Sequence, residues 1–127
     1  MANKLTNNTE ISEAVFTADD LERAPLVLST SACTVYEIYL HYASGSSDAG
    51  FKCYDVAGGT AVTAGTTFPD LMIYWDGSVW GSSANKRFTF PQGVGFDNGL
   101  LILASGQPGR AASGDPTASL VVKILFK

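Results

Sequence analysis

Thr34-Val35-Tyr36-Glu37-Ile38-Tyr39-Leu40-His41-Tyr42 is the stretch whose reading decides the fold. Tyr36, Ile38, Leu40 and Tyr42 recur at a spacing of two and predict the buried face of a β-strand, with Val35, Glu37, Tyr39 and His41 on its other face. Small residues fill Ala43 to Gly50, and the next apolar run is Phe51-Lys52-Cys53-Tyr54-Asp55-Val56. The two runs predict a hairpin with a long tip. In that register Tyr42 pairs with Phe51 and Cys53 lies opposite Leu40, far from Cys33. Cys33 and Cys53 are therefore expected as buried free thiols, behaving as small hydrophobes.

Outward from this pair the same texture continues. Runs at Leu26-Val27-Leu28-Ser29, Leu71-Met72-Ile73-Tyr74-Trp75, Lys86-Arg87-Phe88-Thr89-Phe90, Leu100 to Ser105 and Ala118 to Lys127 are each bounded by Gly, Asp, Asn or Pro turn signals. With a short strand at Ala14-Val15-Phe16, about seven or eight strands result, which suits an all-β fold. The expected architecture is an antiparallel two-sheet β-sandwich, jelly-roll-like, spanning residues 25–127, preceded by an extended N-terminal arm over 1–24. Leu100 to Leu103 is apolar at every position and should be a central strand covered on both faces. Thr17 to Ala24, with Thr17 as a cap and Pro25 as a stop, predicts one short helix.

Composition limits the function. At 127 residues the chain suits a single domain, and a folded surface of roughly 6,500 Å² would bury about two-thirds of the unfolded surface. Net charge is −4, and the eight Lys and Arg residues are scattered rather than clustered, which argues against nucleic acid as a partner. The N-terminus lacks an apolar run of signal-peptide type, and Leu100 to Ala104 is far too short to span a membrane. Neither secretion by that route nor membrane insertion is expected.

Candidate chemistry is sparse. His41 is the only histidine, too few for a multi-histidine metal site, and Gly-x-Ser-x-Gly does not occur. Glu37 and Asp55 could form a carboxylate pair, but the hairpin register points them to opposite faces. Asp97-Asn98-Gly99 and Asp76-Gly77-Ser78 carry calcium-type oxygens, yet Asx turns use the same residues for backbone reasons. Gly106-Gln107-Pro108-Gly109-Arg110 lacks the Lys and hydroxyl of a phosphate loop. No catalytic set, cofactor or metal is expected. Trp75 and Trp80 flank a turn and could stack on a sugar, pair across a hairpin, or form a subunit contact.

The closing strand points elsewhere. Leu120, Val122, Ile124 and Phe126 make an inner face, which leaves Val121 and Leu125 outside beside Lys123 and Lys127. Val35 and Tyr39 are similarly placed, and apolar residues on outer faces suit a partner surface. Leu5, Ile11, Val15 and Phe16 are candidate anchors by which the arm would reach a neighbouring subunit.

Phe90-Pro91-Gln92-Gly93-Val94-Gly95-Phe96-Asp97-Asn98-Gly99-Leu100-Leu101-Ile102, a Gly/Ser/Asp loop and Leu120 to Lys127 together resemble small β-sandwich virion proteins of tailed bacteriophages. Val35 to Leu40, the small-residue loop and Phe51-Lys52-Cys53-Tyr54-Asp55 fit the same pattern, so the resemblance covers residues 25–127. Met72 to Gly81 departs from it by its bulky aromatics. The resemblance implies a capsid decoration or cement protein, without catalytic residues or cofactor. It would be made in the host cytoplasm and held on the capsid surface by the major capsid protein, as a homo-oligomer, most simply a trimer. The competing expectation is a carbohydrate-binding module or tail accessory protein built on Trp75 and Trp80.

Overall fold

The computed structural model describes residues 4–8, 13–18, 24–42, 48–58, 60–63, 67–80, 84–106, 116 and 120–127, with the backbone alone for 4–8, 13–18, 78, 80 and 84. Its strands are β1 (Lys4–Asn8), β2 (Glu13–Ala18), β3 (Leu26–Ser29), β4 (Cys33–Tyr42), β5 (Ala49–Tyr54), β6 (Leu71–Trp75), β7 (Ala84–Phe96), β8 (Leu100–Ser105) and β9 (Leu120–Phe126). A single helical turn, α1 (Gly77–Trp80), lies between β6 and β7. The molecule is an all-β, two-sheet antiparallel sandwich. The first sheet has five strands in the order β1-β2-β9-β4-β7, and the second has four in the order β3-β8-β5-β6.

Side-chain alternation explains the core. β9 buries Leu120, Val122, Ile124 and Phe126 and turns Val121, Lys123 and Leu125 outward, as its sequence predicts. On β4 the buried set is Cys33, Val35, Ile38, Leu40 and Tyr42. The expected inward face is thus corrected at one end: Val35 is buried and Tyr36 is not. A bulge is the cause, because β4 advances from Val35 to Glu37 while its partner β9 advances only from Phe126 to Leu125. β7 bends more strongly at the same level, its pairing jumping from Val94 to Thr89, with Gly93 at φ +76. From the second sheet, Phe51, Cys53, Ile73, Trp75, Leu100, Ile102 and Ala104 meet these side chains.

The expected β4–β5 hairpin does not form. β4 belongs to the first sheet and β5 to the second, where β5 pairs with β6 and β8 and Cys53 lies opposite Leu71 and Ile102. Thr17 and Ala18, expected to begin a helix, extend β2 instead. Residues 19–23 lie outside the described set. β8 is buried at all six positions. Its Leu100, Ile102 and Ala104 enter the main core, whereas Leu101 and Leu103 join Tyr54, Val56 and Val62 in a second cluster outside the sheet. Lys52 and Ser105 are also fully buried on that outer side. The second sheet is therefore covered on both faces along β8 and β5, whereas on its outer side Val27 of β3 is 51% exposed and Met72 and Tyr74 of β6 are partly exposed.

Candidate functional site

On the first sheet the outer face has partly exposed residues across three adjacent strands, where β7, β4 and β9 lie side by side. Antiparallel pairing sets Arg87 opposite Tyr39 and Tyr39 opposite Lys123, with Thr89, Glu37 and Leu125 in the row on one side and Asn85, His41 and Val121 in the row on the other. Residues paired in this way point to the same face. The Tyr39 ring consequently lies between two cations, Arg87 at 5.9 Å and Lys123 at 5.8 Å from its centroid. Each contact at this exposure is worth about 0.5–1 kcal/mol. Arg87 Nε also donates to Glu37 Oε1 at 2.8 Å, and the Arg87 side chain is 67% exposed, so this ion pair adds at most about 1 kcal/mol.

A hollow of about 440 Å³ lies here, lined by Glu37, Tyr39, Arg87, Lys123, Ile124 and Leu125. Beside it His41 Nδ1 donates to Asn85 Oδ1 at 2.6 Å. The arrangement offers a flat aromatic ring, two guarding cations and aliphatic ground at Val121 and Leu125. It can bind a surface that carries apolar and acidic groups, and it assembles no nucleophile with a base.

Other candidates fall elsewhere. Trp75 is 1% exposed, so its assignment to an interface or a sugar platform is corrected: it is a core residue. Its ring meets Tyr42 edge-on at 5.8 Å and 75°, which ties the two sheets together. The turn expected to close a Trp75–Trp80 hairpin is instead α1, which leads from the second sheet to the first. Asp48 holds its entrance, accepting from Gly77 N at 3.0 Å and from Tyr74 Oη at 2.8 Å. The Asp48 bond pushes the Tyr74 hydroxyl up to about 12. Leu5 lies in β1, and Val15 and Phe16 in β2, which pairs with β9 of the same chain. Ile11 and the side chains of Leu5, Val15, Phe16 and Trp80 lie outside the described residues.

Asp55 is committed to the backbone. Its carboxylate accepts from Asn98 N at 2.8 Å and Asp97 N at 2.9 Å, so the backbone amides of Asp97 and Asn98 are held in a turn by Asp55. Glu37, in the first sheet, does not share its environment. Among the described residues no group of three or more His, Cys, Asp or Glu side chains could hold a metal ion. Cys33 and Cys53 are free and buried, and burial pushes both thiols above their ordinary range. Both belong to the core between the two sheets.

Sequence reading singled out Tyr39, Val121 and Leu125, and the structure brings them onto one face. It placed Lys123 beside Val121 and Leu125 but missed Arg87 as the second cation at Tyr39. The alternation Asn85, Arg87, Thr89 was visible, but only the β4–β7 pairing places it beside Tyr39. Compared with known protein families, curated proteins and solved structures, the chain matched none.

Proposed function

We propose that the protein is a structural component of a tailed-phage virion, a capsid decoration or cement protein that stabilises the shell through protein–protein contacts. The observation that carries this reading is the outer face of the first sheet, where Tyr39, Val121 and Leu125 are partly exposed on three adjacent rows with Arg87 and Lys123 beside the Tyr39 ring. A mixed aromatic, aliphatic and basic surface of this kind suits another polypeptide. Closed oligomers sitting over junctions between major capsid subunits would bury it, and an interface of about 1,200–2,000 Å² would make such docking stable.

Strand order supports the same reading by analogy. With β1 set aside, β2-β9-β4-β7 faces β3-β8-β5-β6, and successive strands cross between sheets except at β5–β6. We read this as a jelly-roll-like order, an architecture common in viral shells and also in lectins and cupins, so by itself it does not choose a function. Burial of Trp75 removes one of the two rings on which a sugar platform would stand. The copy number of the protein in purified particles tests the proposal. Hundreds per particle are expected, and absence from particles, or saturable binding on a glycan array lost in Tyr39→Ala, would overturn it.

A further inference from the structure

We infer that the outer face of the first sheet receives the Asp97-Asn98 turn of a second copy, so that copies of this chain join head to tail. The inference rests on reading that face as a polypeptide-binding surface and commits it to one occupant.

Charge supplies the first reason. The described side chains around the Tyr39 ring include Arg87 and Lys123 against Glu37, a balance of +1 in a chain whose net charge is −4. The other residues together therefore carry −5, so an acidic element of the same molecule complements this face. Arg87 is already paired with Glu37, whereas Lys123 meets only the Tyr39 ring among the described residues.

Shape supplies the second reason. At the end of the sandwich where β5 and β7 finish, Asp55, Asp70 and Asp97 form one hydrogen-bonded array: Asp70 Oδ2 accepts from Asp55 N at 2.7 Å, and the Asp55 carboxylate accepts from Asp97 N and Asn98 N. Asp97 and Asn98 are exposed at its tip. The turn is packed closely against its neighbours, because a Cβ on Gly99 would lie 2.5 Å from Val56 O and 2.8 Å from Ser29 O. A preorganised acidic tip loses little freedom when it enters a basic hollow. Tip and hollow belong to different sides of one molecule, so their contact is heterologous and must close into a ring or run on as a filament. A ring of three would be the simplest oligomer consistent with the proposed function.

Analytical ultracentrifugation of the purified chain tests this. The wild type should associate reversibly at micromolar concentration in 50 mM NaCl and more weakly in 500 mM NaCl. Lys123→Glu and Asp97→Lys should each weaken association at least about tenfold without altering the circular dichroism spectrum. The double variant Lys123→Glu/Asp97→Lys should restore it, because every reversed face then meets a reversed tip whatever the number of copies in the ring. Arg87→Glu provides the same reading should Lys123→Glu fail to fold. A monomeric wild type, association indifferent to both reversals, or failure of the double variant to associate would each overturn the inference. A monomer present in hundreds of copies per particle would do so while leaving the proposed function standing.

Discussion

Asp55 illustrates how one exposed carboxylate can fix a turn. The Asn98 N–H, and then that of Asp97, hold its carboxyl below the ordinary carboxylate value. An acid whose folded pKa is depressed stabilises the fold above its unfolded pKa, about 4, and that contribution is lost as pH falls through the folded value. Asp55→Asn should therefore lower stability by about 0.5–1 kcal/mol at pH 6, after allowance for solvent screening. The gap between wild type and variant should narrow toward pH 3, which urea unfolding at both pH values would measure. Glycines at the same end make a sharper contrast. Gly99→Ala drives a Cβ into two backbone carbonyls that cannot move aside, whereas a Cβ on Gly95 meets nothing within 4 Å. Thermal unfolding should show a loss of about 2–4 kcal/mol for the first and within about 0.5 kcal/mol of wild type for the second. The turn residues Asp97-Asn98-Gly99 were legible in the sequence. That Asp55 caps them was not, because the contact joins positions separated by 42 and 43 residues.

Alternation made the strands legible but not their partners. β9 and β8 carry inner faces that can be read directly, since Leu120, Val122, Ile124 and Phe126 repeat every second residue and Leu100 to Leu103 admits no polar position. β4 misleads by one residue at its start, because a bulge at Tyr36 leaves no mark in the apolar pattern. Pairing β4 with β5 assumed that sequence neighbours are neighbours in a sheet. Here the chain instead crosses to the opposite sheet, a separation of about 10 Å between packed sheets. The same crossing after β6 carries Trp75 inward, where a turn-flanking tryptophan had suggested exposure. Its position makes Trp75 a test of how firmly the two sheets are joined. Trp75→Ala should cost about 3–5 kcal/mol, read as a lowered urea midpoint. Trp75→Phe should remove the blue-shifted component of tryptophan emission that a buried indole gives.

At the scale of the whole molecule, the sandwich is asymmetric. Lys52, Ser105, Leu101 and Leu103 are buried outside the second sheet, while Arg87 and Lys123 are exposed outside the first. Outer-face apolar residues could be listed from the alternation of β4 and β9 alone, but the convergence of two cations on Tyr39 needs the order β9-β4-β7. The edge strand β7 also bears features that discourage indefinite sheet extension: Lys86 and Arg87 along it, and Pro91 in the bend opposite the β4 bulge. Dilute solutions of the protein should therefore form oligomers of defined mass without thioflavin-positive aggregates, which light scattering and dye binding together would check.

The position of β9 has a temporal consequence. It lies between β2 and β4 and bonds to both, so neither neighbour can complete its ladder until residues 120–126 have emerged from the ribosome. Through most of translation the nascent chain must keep the inner faces of β2 and β4 from pairing wrongly, and the first sheet can form only as synthesis of this segment ends. Ribosome-stalled chains halted before residue 120 should accordingly be digested by protease, and chains stalled with 120–126 outside the exit tunnel should resist.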